Sequence, residues 1–197
     1  PWLKVEWEEK GVIGDADPMV LIRKVSASEL AQRRNEAFTA HPPLLGAYLE
    51  EYVGQSGSQN FLNAEANYPL LKGSQTNLYK CFLPQAWRVV SAKGVNGFLH
   101  PEGVYDDPKG GALRAESYRR LCAHFQFENE LKSELFPEVH NTLKYGINIY
   151  QPPSPEAPRV AFQSVSNLFA ASALEECFSG DGKGHVPGIK NAQGKWE

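Results

Sequence analysis

Residues 78–150 read in order as helix, strand, helix, strand, loop and strand, an alternation that constrains the fold more than any other feature of the chain. The first helix is written in "TNLYKCFLPQAWRVV". There Leu78, Tyr79, Phe82, Leu83, Ala86, Trp87 and Val90 repeat at i, i+1, i+4, i+5, Thr76 or Asn77 can cap, and Pro84 should kink the interior. "SAKG" ends it with a cation and a glycine. "VNGFLH" reads as a short buried strand, and the polar "PEGVYDDPKGG" as a loop. "ALRAESYRRLCAHF" is a second helix, with Leu113, Ser117 and Leu121 beside Tyr118, Cys122 and Phe125. "FQFENE" and "YGINIY" alternate as strands around a turn-rich "LKSELFPEVHNTLK". The sum is an α/β chain with helices against the sheet. Three strands are too few for an independent doubly wound domain, so part of the sheet is expected to come from elsewhere.

The flanks differ in kind. Gly11, Gly14 and Pro18 mark a loop. "SASELAQRR" then has Ser26 followed three residues on by Glu29, a capping box that predicts a helix from about residue 27. "HPPLLGAYLEEYV" lines Leu44, Leu45, Tyr48, Leu49, Tyr52 and Val53 along one helical face, with Pro43 in the first turn, and "GQSGSQN" predicts a flexible loop after it. From "QPPSPEAP" the chain turns Pro-rich, then carries a modest strand-and-helix signal over residues 160–177 and a Gly-rich tail expected to be irregular. The expected organisation is a main α/β part over 1–150, with a helical insert at 3–75, then a linker and the start of a further region over 151–197.

Several chemistries have no support. His41, His100, His124, His140 and His185 lack metal-ligand spacing, and each is read as structural or exposed. "DGKGH" lacks the full phosphate-loop pattern and a preceding strand, and no Gly-x-Ser-x-Gly elbow occurs. Glu102, Asp106 and Asp107 follow a strand end, where α/β folds keep ligand contacts, although a solvated turn explains them too. Three widely spaced cysteines (Cys81, Cys122, Cys177) suit reduced thiols and a cytoplasmic protein. No apolar run reaches the roughly 18–20 residues of a membrane span. The net charge of −3 argues against a self-sufficient nucleic-acid binder without excluding a basic face.

Taken in order, "PW" at the start, "NLYKCFLPQAW", "AKGVNGFLHPEGVY", "ALRAESYRRL" and "ELFPEV" followed by "YGINIY" resemble the later half of adenine-specific DNA methyltransferases of bacterial restriction-modification systems. The resemblance covers Pro1–Trp2 and residues 76–150, and it implies that residues 1–150 are the C-terminal part of a methyltransferase catalytic domain and that a target-recognition region begins within 151–197. It implies a partial Rossmann-like methyltransferase sheet, and it implies that the chain, which lacks an initial Met, starts inside the family's catalytic tetrapeptide of Asn or Asp, Pro, Pro and an aromatic residue. Pro1 and Trp2 match the last two positions. An adenine amine is a poor nucleophile until acceptors orient its lone pair, and the base must first leave the duplex. Trp2 would stack on it, at roughly 1–3 kcal/mol per base, and Phe136 matches the family's aromatic on the other side. A core ring beside Pro137 explains Phe136 equally well.

The resemblance also implies S-adenosylmethionine as methyl donor, with most of its site outside this chain. The glycine-rich loop and the ribose-binding acid are absent here. The expected partners are double-stranded DNA, the upstream part of the same protein, and nuclease or defence-system subunits. Arg23 and Lys24, together with Arg33 and Arg34, are candidate DNA contacts of the insert, and Tyr105 and Lys109 are candidates after the first strand. For the basic set a solvated helix face explains the pattern as well. Two rival readings stay open: a protein-glutamine or RNA methyltransferase using the same tetrapeptide, and a non-catalytic DNA-binding module.

Overall fold

The computed structural model describes residues 5–74, 77–131, 136–154 and 160–179, together with 193 and 195. The chain divides into two compact units, one ending at Leu78 and the other running on from Tyr79.

The first unit is helical, like the insert read from the sequence. Its helices are α1 (Glu9–Gly14), α2 (Met19–Ile22), α3 (Ala27–Ala40) and α4 (Pro43–Asn63), followed by a 3-10 turn at Pro69–Leu71. Ser26 caps α3 as expected, its Oγ accepting from the Glu29 amide at 3.2 Å. Ile13, Val20, Ala37 and Leu71 form its buried apolar set. Three expectations are corrected. The Gly11–Pro18 loop is partly helical, since α1 runs through Gly14, and it leads directly into α2. "GQSGSQN" continues α4 and is no loop. Its glycines lower helix propensity, but the intrahelical ladder persists, Gln55 donates back to Glu51 at 3.0 Å, and Phe61 meets Tyr68 edge-on at 6.3 Å. The expected apolar face of α4 is largely open, with Leu49 49% and Val53 66% exposed.

The second unit is α/β: a four-stranded mixed sheet flanked by helices, compatible with a partial Rossmann-like fold. Its elements are α5 (Leu78–Val89), β1 (Asn96–Pro101), α6 (Gly103–Asp106), α7 (Gly111–Tyr118), β2 (Leu121–Glu128), β3 (Lys144–Tyr150), β4 (Gln163–Leu168) and α8 (Ala171–Ser179). The strand order is β1-β3-β2-β4. β3 is antiparallel to both β1 and β2, so β1 and β2 run parallel to each other, joined through α6 and α7. β4 is parallel to β2.

Two local readings change here. "ALRAESYRRLCAHF" leaves the helix at Tyr118, and Leu121–Phe125 belong to β2. The i, i+4 pattern there overlaps an alternation of Ala123, Phe125 and Phe127, and pairing with Ile149, Ile147 and Tyr145 decides for the strand. The loop "PEGVYDDPKGG" contains α6. In α5 it is Phe82 that faces outward, 51% exposed, while Lys80 is buried against Asp107. β4 and α8, read from the sequence as lying beyond a linker, belong to this sheet and its core. The register of β4 slips by one residue between Phe125 and Phe127 of β2, a bulge at which Asn167 takes φ 61°.

The two faces of this sheet differ in chemistry. On the odd-numbered face Phe125, Phe127, Tyr145, Leu168 and Ala173 form an apolar core, with Ala123, Phe136, Ile147, Val165 and Leu174 packed against it. Phe127 and Tyr145 stack at 5.7 Å with planes 5° apart. The even-numbered face is polar. The register sets His100 and Gln126 on either side of Gly146, and His124 beside Asn148.

Candidate functional site

The polar face and the turn after β1 form one bonded network. Glu102 follows β1 directly and is buried, and its carboxylate lies over Gly146. Nε2 of His124 stands 3.1 Å from both carboxylate oxygens, and the Gln126 amide donates to one of them at 3.3 Å. Since a carboxylate only accepts, that ring nitrogen carries the proton. A Cβ on residue 146 would come within 2.5 Å of Glu102 Oε1, so glycine is what lets the carboxylate settle onto the strand.

Tyr105, on α6, donates its hydroxyl proton to Asn148 Oδ1 at 2.6 Å and stands 3.2 Å from the Tyr150 hydroxyl. Asn148 in turn donates to the Gly146 carbonyl at 2.8 Å, which fixes its amide. His100 is 1% exposed. Nδ1 donates to the Pro101 carbonyl at 2.8 Å, and Nε2 lies 3.2 Å from the Tyr150 hydroxyl. Burial pushes the His100 pKa down, so the ring is neutral and Nε2 accepts. Tyr150 therefore has one proton for two acceptors. Burial raises the hydroxyls of Tyr79, Tyr105 and Tyr150 far above the usual phenol range. Tyr79 stacks on His100 at 5.3 Å.

The rest of the turn is tied down by charge. Lys80 pairs with Asp107 with both side chains mostly buried. That bond holds the Asp107 carboxyl below its ordinary pKa. Arg114 donates to the carbonyls of Tyr105 (3.2 Å) and Asp107 (2.9 Å). The turn is thus a rigid ledge at the C-terminal end of β1, the edge at which α/β sheets bind ligands. The tyrosines stay protonated, His100 stays neutral, and the Glu102 carboxylate is occupied.

The second feature at this edge is the loop from β2 to β3. Asn129 directly follows β2, and Phe136 lies seven residues further on. Phe136 is half-buried, its ring meeting Tyr145 at 5.0 Å with planes 83° apart. It thus keeps part of its ring against the odd-face core.

The sequence-derived candidates fall out as follows. Pro1 and Trp2 lie outside the described residues. Tyr105 turns its hydroxyl inward to Asn148, while Lys109 is exposed beside it, its backbone amide bonded to Asp107 at 2.9 Å. Arg23 and Lys24 are exposed and follow α2. Arg33 is bound to Asp17 (2.7 Å) and Glu29 (3.0 Å), and Arg34 to Glu9 (2.8 Å), so these two positive charges are neutralised within the helical unit. A groove of about 670 Å³ in that unit is lined by Glu6, Glu8, Asp15 and Glu51 beside Trp7, an acidic lining that repels phosphates. Sequence reasoning missed His100, His124, Asn148 and Asn129. The local signal is confined to β2, where His124, Gln126 and Glu128 alternate, and it marks a face only once the register is known.

The turn after β1 is filled by its own side chains, with Glu102 over Gly146 and the Tyr79 hydroxyl 2.9 Å from where a Cβ on Gly103 would lie. No group of His, Cys, Asp and Glu among the described residues can hold a metal ion. No helix among them is long and apolar enough to cross a membrane.

No protein-family model matches the chain, and no curated protein matches it.

Proposed function

We propose that this chain is the later half of an adenine-specific DNA methyltransferase serving a restriction-modification or phage-defence system. The complete protein would extrude an adenine from duplex DNA and transfer a methyl group from S-adenosylmethionine to its exocyclic amine. One observation carries the reading. The stretch that resembles this family folds as one body, with β1 and β2 parallel, joined through helices, and β3 between them. Phe136 sits on the loop at their C-terminal ends.

The chemistry of the edge fits. Direct displacement at a methyl donor needs alignment more than proton transfer, and this edge offers rigid positioning. The half-covered ring of Phe136 is suited to stacking on an extruded purine. Most S-adenosylmethionine contacts are assigned to the upstream half, a reading supported by the turn after β1 being filled by its own side chains. DNA contacts fall to Lys109, Arg23 and Lys24, which are exposed cations, rather than to Arg33 and Arg34.

The test is transfer of tritium from labelled donor to duplex DNA. The full-length protein should label adenine at its exocyclic amine, and this chain alone should not. Label on RNA or on a protein glutamine would favour the first rival reading. Salt-dependent DNA binding without donor binding by the full-length protein would favour a non-catalytic module.

A further inference from the structure

We infer that Asn129 is the positioning residue for Phe136, an inference that rests on the base-stacking role proposed above. Asn129 is completely buried at the end of β2. Its side-chain amide donates both protons across the loop, to the carbonyl of Phe136 at 2.9 Å and to the carbonyl of Val139 at 2.9 Å. Both partners are acceptors only, so the orientation of the amide is forced. The Asn129 backbone amide donates to Leu143 at 3.2 Å, and Val139 donates to Phe136 at 3.1 Å, closing the loop onto the same point.

Asn129 Oδ1 is buried and has no hydrogen-bond partner among the described residues. A buried amide left half-satisfied opposes folding, and an apolar residue would fill the space without that cost. The asparagine therefore serves the two carbonyls. One of them belongs to the residue whose ring is to meet the base, and a ring stacking on an extruded purine must stand within a fraction of an ångström of its place. The opposite side of the ring is fixed by Tyr145. Asn129 holds the backbone of Phe136 and Tyr145 holds its ring.

The experiment uses the full-length protein, a duplex substrate and labelled donor. Asn129→Asp keeps the shape and removes both donated bonds. It should lower kcat/KM for DNA at least tenfold, with binding of a duplex carrying an abasic target changed less than twofold. Amide exchange in residues 136–143 should quicken at least tenfold. In a Phe136→Ala background the same substitution should cost nothing further, because it acts through that ring. Asn129→Ser gives a second, smaller replacement if the aspartate variant does not fold, and the same non-additivity is expected. Losses that multiply in the double variant, or an unaltered kcat/KM in a loosened loop, would overturn the inference alone. A wild-type protein that transfers no methyl to DNA would overturn the function proposed above, and this inference with it.

Discussion

Gly146→Ala is the sharpest probe of the polar sheet face. The glycine has no left-handed φ, so its backbone accepts alanine and only space is at issue. The added methyl would stand 2.5 Å from Glu102 Oε1 and 3.1 Å from both His124 Nε2 and Asn148 Nδ2. The carboxylate must then leave the strand, losing its bonds to His124 and Gln126 while staying buried. Overpacking costs about 1–3 kcal/mol, and a hydrogen bond to a charged group contributes about 1.5–3 kcal/mol. Alanine regains roughly 0.5–1 kcal/mol from the unfolded chain. The net loss is about 1.5–5.5 kcal/mol, or roughly 3–22 °C in Tm for a chain of this size. Urea unfolding of the intact protein measures it. Glu102→Ala empties the contested space, and in that background Gly146→Ala should be neutral or slightly stabilising. An equal loss in both backgrounds would refute the packing argument, as would a Gly146→Ala protein as stable as wild type.

Other outcomes follow from single contacts. Ser26→Ala removes the cap of α3 and should cost about 1 kcal/mol in denaturant unfolding. Lys80→Met strips Asp107 of its buried partner and should cost about 3 kcal/mol. Because Asp107 has a lowered pKa in the fold, its pairing contributes above the ordinary carboxylate value of about 3.9 and is lost as pH falls through the depressed folded value. Comparing unfolding of wild type and Lys80→Met across pH 2–6, roughly that window, should show their difference shrinking toward the acid end. The thiols should separate by alkylation rate near neutral pH. Exposed Cys177 should react first, and Cys81 and Cys122, whose pKa values burial raises, should react more slowly, as mass spectrometry of the labelled peptides would show.

Residues that speak to near neighbours in the chain were legible without coordinates. The capping pair Ser26 and Glu29, the periodic face of α5, and the alternation in β3 each act within a turn or a strand, so composition and spacing decide them, whereas β1, read as a buried strand, is half open at the sheet edge with Leu99 42% exposed. The mixed α/β class followed from their order. Tertiary pairing decided the rest. "RRLCAHF" carries two periods at once, and only a partner strand at Ile147 and Ile149 selects one. The network of Glu102, His124, Asn148 and Tyr105 joins residues 22 to 43 positions apart. Its existence depends on a register that a slip of one residue would reverse, sending every polar group to the apolar face. Asn129 is the same case in miniature. Nothing local distinguishes it from a turn asparagine, and burial against two carbonyls of a loop that folds back gives it a task.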